Sequence, residues 1–225
     1  NYIKRQLQLE LLGEVPVLSI RTEPLQNPVN RLAKRLFDLT FSSLFLLTIF
    51  PFMYLIVGLI IKITSPGPIF FKQERNGENG KIFKCYKFRS MKVNALSDSL
   101  QATKNDPRKT KFGNFLRKSN LDELPQFINV FKGEMSIVGP RPHMLKHTEE
   151  YSQLINKYMM RHLVKPGITG WAQVTGYRGE TKELSQMEGR VRRDLWYIEN
   201  WTFLLDIRIM IKTVTNMFRG EKNAY

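Results

Sequence analysis

The central segment of this chain reads Ser119-Asn-Leu-Asp-Glu-Leu-Pro-Gln-Phe-Ile-Asn-Val-Phe-Lys-Gly-Glu-Met-Ser-Ile-Val-Gly-Pro-Arg-Pro142. The pattern predicts a short apolar helix that begins at Asp122 and Glu123, then a glycine turn and an apolar strand leading to Arg141. Two anionic oxygen ligands and a nearby guanidinium are what a magnesium-assisted reaction on a phosphate ester needs. We therefore expect the rest of the chain to serve this segment.

A structural interpretation of the two acids competes with the catalytic one. The spacing Ser119-x-x-Asp122 is typical of a capping box, and acids in a first helical turn interact favourably with the helix dipole. On spacing alone, capping is favoured. Neighbouring helix positions diverge by about 100°, so the carboxylates of Asp122 and Glu123 would not share a proton. They could instead divide the work, one facing a phosphorus atom and the other a metal ion.

The composition indicates polyanionic partners. The 225 residues include 35 Lys and Arg against 20 Asp and Glu, which gives a formal net charge of +15. Such an excess favours nucleic acid, an acidic bilayer or phosphorylated substrates. The single Cys85 has no disulfide partner within this sequence and fits a reducing compartment. In its apolar and aromatic run, it is more typical of a small buried hydrophobe than of a nucleophile.

An uncharged apolar run follows a basic cluster near the N-terminus. Arg31, Lys34 and Arg35 precede 23 uncharged residues, 39–61. A straight helix of that length would extend about 35 Å, enough to cross a bilayer. Pro51 lies in its middle and is expected to kink or break it. Because basic residues flank both ends, the positive-inside tendency predicts a helix-break-helix that enters and leaves through the same leaflet.

These features predict a mostly helical α+β protein in three parts. Residues 1–27 read as the tail of a preceding domain and a linker, because the predicted strand 15–20 has no partner nearby in the sequence. Residues 28–66 form the re-entrant membrane helix. Residues 67–225 form a compact catalytic core with a small β-hairpin and interfacial amphipathic helices.

The hairpin is predicted from two apolar runs, 69–73 and 82–89, joined by the polar loop 76–80. Residues 94–111 read as an exposed polar loop.

The C-terminal part is predicted to be largely helical. A helix is expected over 144–164, a short strand within 165–174 and a glycine loop over 175–179. The last helical region covers 180–218 and is expected to break near 200–202. Its final part suits an interfacial helix or one packed on the core, and the sequence leaves both open.

Several charged residues are candidates for binding phosphate. Arg117, Arg141 and Arg178 lie next to the acid pair or to Gly and Pro turns, and a planar guanidinium suits bidentate phosphate contact. For any one of them, a solvated side chain is the ordinary outcome. His143 and His147 have the i, i+4 spacing of metal ligands, but no Glu lies between them and zinc is not expected.

Two further pairs of charged residues are ambiguous. Lys87 and Arg89 give the second strand a basic face that suits phosphates or lipid headgroups, with the headgroups favoured. Asp194 and Asp206 lie in aromatic surroundings, where acids need partners. We expect these partners to be arginines, and the contacts to be structural or functional.

Ordered motifs along the chain resemble those of the bacterial sugar transferases, the monotopic polyprenyl-phosphate sugar-1-phosphate transferases. The resemblance covers about residues 28–225 and rests on long motifs in a fixed order. These are Lys87-Phe-Arg-Ser-Met91, Leu121-Asp-Glu-Leu-Pro-Gln126, Ser136-Ile-Val-Gly-Pro-Arg-Pro142, Pro166-Gly-Ile-Thr-Gly-Trp-Ala-Gln173 and Asp194-Leu-Trp-Tyr197. One departure is Phe50 before Pro51, where the family usually has serine, and the serine would normally help to satisfy the carbonyls that the proline frees.

The resemblance implies a two-step transfer. Asp122 would attack the sugar-linked phosphate of a UDP-sugar, release UMP and carry the sugar-1-phosphate until undecaprenyl phosphate accepts it. Glu123 would bind Mg²⁺, and Pro51 would mark the re-entrant break. The resemblance also implies contacts to substrate or phosphate for a set of eight residues: Lys87, Arg89, Arg117, Pro140, Arg141, Arg178, Asp194 and Asp206.

The resemblance also implies a setting and leaves alternatives. The enzyme would act at the cytoplasmic face of the bacterial inner membrane, start exopolysaccharide or capsule synthesis, and bind no nucleic acid. Tyr177-Arg-Gly-Glu-Thr181 and Asn200-Trp201 resemble the branch that is often glucose-specific, with galactose as the alternative. A non-catalytic scaffold or nucleic-acid binder at the membrane and a magnesium phosphatase acting on a lipid phosphate are rival functions, and the sequence leaves open whether the chain forms a homo-oligomer.

Overall fold

The computed structural model describes residues 7–12, 15–20, 23–93, 106–179, 181 and 183–219. Most of the predicted polar loop, 94–105, lies outside the described residues. The described part of the chain is mostly helical with three two-stranded sheets. The predicted fold class, a mostly helical α+β protein with a small β-hairpin, is confirmed to this extent.

The first two strands correct the prediction for the N-terminal segment. β1 (Leu7–Leu12) and β2 (Val15–Ile20) are antiparallel neighbours, with the register running from Leu7 opposite Ile20 to Leu12 opposite Val15. The expectation that residues 15–20 lack a nearby partner was wrong. The partner strand alternates Leu with polar residues only briefly before a Leu pair, so its strand pattern was easy to miss.

Two long helices follow, and the chain bends between them. Asn27 caps α1 (Pro28–Thr48) by accepting a hydrogen bond from the N–H of Val29 at 2.9 Å. α2 (Phe50–Thr64) is bent by 56° relative to α1, and Pro51 lies in its first turn. Proline is tolerated there because the first N–H groups of a helix have no partner within the helix. The break predicted from Pro51 is therefore present.

The bent pair is the described feature that best matches a membrane segment. No single described helix is long and apolar enough to span a bilayer, whereas α1 and α2 together pass that test by length and composition.

The polar part of α1 is fastened to the rest of the molecule. Arg35 donates to the carbonyls of Val130 and Phe131 at 2.7 and 2.8 Å. Asp38 accepts from the N–H of Ile137 at 3.0 Å. The basic cluster before the apolar run is therefore not simply a flank facing lipid headgroups.

The predicted β-hairpin is confirmed, and its first strand extends to Asn76, beyond the predicted end at residue 73. β3 (Phe70–Asn76) and β4 (Ile82–Phe88) are antiparallel, with the register running from Phe70 opposite Phe88 to Asn76 opposite Ile82. A short 3₁₀ turn, Glu78–Gly80, joins them.

The third small sheet is parallel and was not predicted as such. β5 (Ser136–Val138) pairs with β6 (Gly167–Thr169). A Cβ atom on Gly167 would lie 2.1 Å from the backbone nitrogen of Gly139, so the close approach requires glycine. The strand predicted within 165–174 ends at Thr169, and the short helix α6 (Trp171–Val174) replaces its second half.

The helices of the described chain complete the fold. The helix expected over 144–164 is interrupted: it ends at Leu154, and Lys157 adopts φ 64° before a 3₁₀ segment. The break predicted near 200–202 is confirmed. In chain order, the remaining elements are α3 (Lys111–Lys118), α4 (Gln126–Lys132), α5 (Leu145–Leu154), the 3₁₀ segment Tyr158–Leu163, α7 (Leu184–Glu199) and α8 (Phe203–Arg219).

The main hydrophobic core lies where α4, the β5–β6 sheet, α7 and α8 meet. Val130, Met135 and Ile209 are fully buried in it. Cys85 belongs to the same core, and burial raises the pKa of its thiol. The prediction that Cys85 is a small buried hydrophobe is confirmed.

Candidate active site

The acid pair lies on a turn between two helices, not inside a helix. Asn120 adopts a left-handed conformation, φ 59° and ψ 13°, and a 3₁₀ turn, Leu121–Glu123, follows. The capping-box interpretation is wrong, because the Oγ of Ser119 donates back to the carbonyl of Phe115 at 2.9 Å. The backbone reversal at Asn120 carries both acids inward, so that Asp122 is 6% and Glu123 7% exposed.

Both acids line a cavity of about 330 Å³ between the hairpin, α3 and the segment around Arg141. Five of the predicted cations line the same cavity, and so do further polar side chains that the sequence analysis did not assign to a site. The five predicted cations are Lys87, Arg89, Arg117, Arg141 and Arg178, and the further polar residues include Gln73, Arg75, His143, His147, Arg108, Asn120 and Arg190.

Glu123 is held by two cations. Arg141 donates from Nη1 to Oε2 at 3.1 Å and from Nη2 to Oε1 at 2.5 Å, and the Nζ of Lys87 lies 2.7 Å from Oε1. Burial by itself would raise the pKa of Glu123. Arg141 and Lys87 more than offset this effect and hold the pKa well below its ordinary value. Glu123 is therefore an ionised, charge-paired carboxylate.

Asp122 has the opposite character although it is the next residue. Within the described residues its carboxylate has no hydrogen-bond partner. Burial raises its pKa and the charge of Glu123 adds to that effect, whereas Lys87, Arg117 and Arg141 act against it. A buried carboxylate surrounded by cations but bonded to none is available to react with an electrophile.

The other cavity cations differ in how they are engaged. Arg178 donates to the side-chain oxygen of Asn120, and so ties the glycine loop to the turn that carries the acids. Arg89 donates to the carbonyls of Ser65 and Pro66, at the C-terminal end of α2. The guanidinium of Arg117, by contrast, has no hydrogen bond to any described residue.

The structure does not bring Asp194 and Asp206 into the cavity. Asp194 forms a buried ion pair with Arg161 at 2.6 Å, so the expectation of an arginine partner is confirmed for it. Asp206 pairs instead with Lys34 at 2.5 Å and also accepts from Tyr197 and Trp201. Each acid balances a buried cation, and neither lines the cavity. Their contact with substrate stays a prediction.

Two predicted prolines also lie apart from the cavity. Pro140 is buried, and its carbonyl accepts from the N–H of Gly167 at 2.9 Å, so it supports the parallel sheet. Pro51 lies at the helix break, as expected, and is exposed.

Sequence reasoning missed two buried arginines next to the site. Arg190 donates to the carbonyls of Tyr177 and Gly179, and so fixes the glycine loop that carries Arg178. Arg161 donates to the carbonyl of Arg141. Both lie in helical patterns where an arginine ordinarily faces solvent. The only signal for Arg161 was its apolar setting, Tyr-Met-Met-Arg-His-Leu, next to the Pro166 motif.

The described residues hold no cluster of three or more His, Cys, Asp or Glu side chains that could bind a metal ion. Mg²⁺, however, usually takes only one or two carboxylates from a protein and completes its shell with phosphate oxygens and water. Asp122 and Glu123 supply donors of that kind. Nδ1 of His143 is not free to bind a metal ion, since it lies 2.6 Å from both Tyr158 Oη and Arg161 Nη1.

Comparison with known proteins gives a family for this arrangement. The family model described as bacterial sugar transferase matches residues 29–220. The chain belongs to the bacterial sugar transferase family. The resemblance found in the motifs is confirmed, and the acid pair, Arg141 and the hairpin all lie inside the matched range.

Three curated relatives of this bacterial sugar transferase carry the same name, UDP-glucose:undecaprenyl-phosphate glucose-1-phosphate transferase. The protein from Escherichia coli (strain K12) is 54% identical over 97% of this chain and 47% of its own length. Those from Xanthomonas campestris pv. campestris and Klebsiella pneumoniae are each 50% identical, over 96% and 98% of this chain and 45% and 47% of their own lengths. The chain thus spans about half the length of these relatives.

Proposed function

We propose that this chain transfers glucose 1-phosphate from UDP-glucose to undecaprenyl phosphate, in two steps through Asp122. The contrast between the two acids is the observation that supports this most directly. Glu123 is fully paired with Arg141 and Lys87, whereas Asp122 is buried among cations with no hydrogen-bond partner in the described chain. A carboxylate nucleophile needs an oxygen that no hydrogen-bond donor occupies, and in the described chain Asp122 has one. The negative charge of a bound diphosphate needs nearby cations to stabilise it.

In the first step, an oxygen of Asp122 forms a bond to the sugar-linked phosphorus. The bond between that phosphorus and the bridging oxygen breaks, and UMP leaves with the bridging oxygen and its electron pair. Arg117, Arg141 and Lys87 offset the charge that develops on the phosphate oxygens. The product is a glucosyl phosphate joined to the Asp122 carboxylate as a mixed anhydride.

In the second step, a phosphate oxygen of undecaprenyl phosphate attacks the same phosphorus. The bond to Asp122 breaks, the free carboxylate is restored, and the diphosphate-linked lipid sugar is released. The same buried position serves both steps, because water is kept from hydrolysing the intermediate when the carboxylate is only 6% exposed.

Mg²⁺ fits the donor set of this site and is proposed as the cofactor. Glu123, together with the diphosphate oxygens, would hold it, and the ion when bound would neutralise charge on the diphosphate. Arg141 and Lys87 hold the pKa of Glu123 well below its ordinary value, so its carboxylate is ionised, and Mg²⁺ would share or displace these two cations.

The bent helix pair supports a membrane position for the site. Large apolar side chains are exposed over the end of α1 and along α2, while the polar start of α1 is bound to the catalytic core. An apolar surface of this size suits lipid, and we propose that the pair enters one leaflet and returns, at the cytoplasmic face of a bacterial inner membrane. The exposed side chains are Leu44, Leu47, Ile49, Phe52, Leu55, Ile56, Leu59 and Ile63.

The test uses UDP-glucose labelled in the sugar, undecaprenyl phosphate in detergent, and Mg²⁺. We expect the label to move into the organic-soluble lipid with release of UMP. Release of free phosphate would instead support the phosphatase, and no turnover would support the non-catalytic scaffold. A panel with UDP-galactose and other UDP-sugars tests the donor.

The Asp122→Asn variant is expected to abolish both lipid labelling and UMP release. Asp38→Asn is the matched control, because Asp38 is also a buried carboxylate, lies outside the cavity, and accepts from the N–H of Ile137 a hydrogen bond that an Asn oxygen can still accept. Near-normal turnover by Asp122→Asn would rule out Asp122 as the nucleophile.

A further inference from the structure

Arg161 is a buried arginine one contact away from the acid pair. Its side chain is 2% exposed and makes contacts in three directions. Nη2 donates to the carbonyl of Arg141 at 2.8 Å and to the carboxylate of Asp194 at 2.6 Å. Nη1 lies 2.6 Å from Nδ1 of His143.

The desolvation cost of burying the Arg161 guanidinium indicates that its contacts serve a specific role. An unpaired buried guanidinium is strongly destabilising, and Asp194 supplies the opposite charge. A lysine or an apolar residue could also fill this space in the core. Only arginine supplies a planar guanidinium, which donates to acceptors that lie in fixed directions. Two of the acceptors here, the Arg141 carbonyl and the His143 ring, belong to the segment that carries Arg141 to Glu123.

The contact with His143 also fixes which ring nitrogen carries the proton. A guanidinium can only donate, so Nδ1 must accept and the proton of the neutral ring lies on Nε2. His143 lines the cavity, and its Nε2 is a buried atom with no partner in the described chain. Arg161 therefore orders two neighbouring groups on one wall of the cavity.

We propose that Arg161 is a positioning residue for the transfer reaction, which acts by holding the main chain at Arg141 so that the guanidinium of Arg141 stays against the acid pair. Asp194 is then the counter-ion of Arg161, and its link to the reaction passes through Arg161 and Arg141. This inference rests on the proposed function and adds to it a residue that never touches the substrate.

The test is a double-mutant cycle measured as kcat/KM for transfer. Arg161→Lys keeps the charge but loses the fork, and we expect a loss of roughly 10-fold to 100-fold, as is typical when a partner of a site residue is removed. In the Arg141→Lys background, the same change should cost little more, because its effect passes through Arg141. Lys34→Gln is the control: it breaks a buried ion pair away from the cavity, and its effect should multiply with that of Arg141→Lys.

The outcomes separate this inference from the proposed function. A wild-type chain that moves no label contradicts the proposed function. If the wild-type chain transfers label, two results would overturn the inference alone. One is an Arg161→Lys variant with unchanged kcat/KM. The other is a loss of kcat/KM in Arg161→Lys that is fully multiplicative with the loss in Arg141→Lys. If Arg161→Lys does not fold, Asp194→Asn takes its place in the cycle with the same two outcomes.

One measurement does not need turnover. In a ¹⁵N-histidine spectrum of the wild-type chain, His143 should show a neutral ring protonated at Nε2. A ring protonated at Nδ1 would contradict the contact with Arg161 and the inference with it.

Discussion

At the scale of single residues, two adjacent carboxylates are made different by their neighbours. Glu123 shares its oxygens with Arg141 and Lys87 and is held ionised. Asp122 is equally buried but has no hydrogen-bond partner among the described residues, and its pKa is raised. A pair whose environments separate the two pKa values commonly divides its roles. We propose that Glu123 binds charge here and that Asp122 is the nucleophile.

The raised pKa of Asp122 predicts an acid limb in the pH profile of kcat/KM. Only the ionised carboxylate attacks, so the rate should fall as the pH drops through this pKa. Lys87 is the largest influence that lowers the pKa. Lys87→Met should therefore move the acid limb to higher pH, because removing the ammonium charge destabilises the ionised carboxylate of Asp122 and raises its pKa further.

Lys72→Met is the matched control for that profile. Lys72 lies on the same hairpin but is exposed and outside the cavity. The acid limb of the Lys72→Met variant should coincide with that of the wild type. Coincident profiles for Lys87→Met and the wild type would contradict the assignment of the limb to the acid pair.

The residue types of the site could be predicted from the sequence, but their partners could not. The motifs indicated Asp122, Glu123 and Arg141, and all three line one cavity. The capping interpretation of Ser119 was wrong because Asn120 reverses the backbone before the acids, and left-handed conformations leave little trace in a spacing pattern. Arg161 was missed because its acceptors come from residues distant in the sequence.

At the scale of elements, α1 has two parts: one binds the core of the protein, and the other belongs to the proposed membrane segment. Its first half carries polar side chains that bind the core, and its second half joins the apolar break. The buried pair of Lys34 and Asp206 fastens α1 to α8, where Tyr197 and Trp201 satisfy the remaining acceptor sites of the carboxylate. From the sequence the basic cluster could be predicted only as a flank, because the partners of Lys34 and Arg35 lie 95 or more residues away.

Removing one partner of that pair should destabilise the fold. Asp206→Ala leaves the Lys34 ammonium buried and unpaired, which typically costs about 3–5 kcal/mol of unfolding free energy. Denaturant unfolding in detergent measures the change. Glu78→Ala, which breaks the solvent-accessible pair with Arg31, should cost about 1 kcal/mol or less. Equal losses in the two variants would contradict the assigned role of the Lys34–Asp206 pair.

The local elements were predicted well and the long-range pairings were not. The β3–β4 hairpin and the breaks at Pro51 and near residue 200 follow from turn residues and periodicity. The parallel pairing of β5 with β6 joins segments about 30 residues apart, and each strand has only three residues, too few to show a pattern. α5 stops early because the chain turns through Lys157, where no Gly or Pro gave warning.

At the scale of the whole molecule, the bent helix pair with its apolar surface packs against the hairpin, and the hairpin lines the polar cavity. Phe50 at the helix break packs against Phe70 and Phe88 of the β3–β4 hairpin. Strand β4 of this hairpin also carries Lys87, so the proposed membrane segment contacts the element that lines the candidate site. The aromatic contacts of Phe50 give a physical use for the residue that replaces the usual serine. α8 packs on the core through the buried Ile209, while Leu204 and Ile211 are exposed, and its interfacial position stays a prediction.

A re-entrant path predicts that both ends of the helix pair lie on one side of the membrane. Single cysteines at Val29 and Thr64, both exposed, should react with a membrane-impermeant thiol reagent from the cytoplasmic side only. Cys85 is buried and should give little background. Labelling of the two positions from opposite faces would contradict the re-entrant path, and a straightened Pro51→Leu variant should show that pattern if the proline causes the return.

The central claim is that Asp122 carries the phosphosugar as a covalent intermediate, and intact-protein mass spectrometry after mixing with UDP-glucose and Mg²⁺ alone tests it most directly. The account predicts one added glucosyl phosphate, located on the peptide that contains Asp122, absent from Asp122→Asn and discharged when undecaprenyl phosphate is added. Rapid transfer to the lipid with no adduct at any time, or an adduct on another side chain, would contradict it.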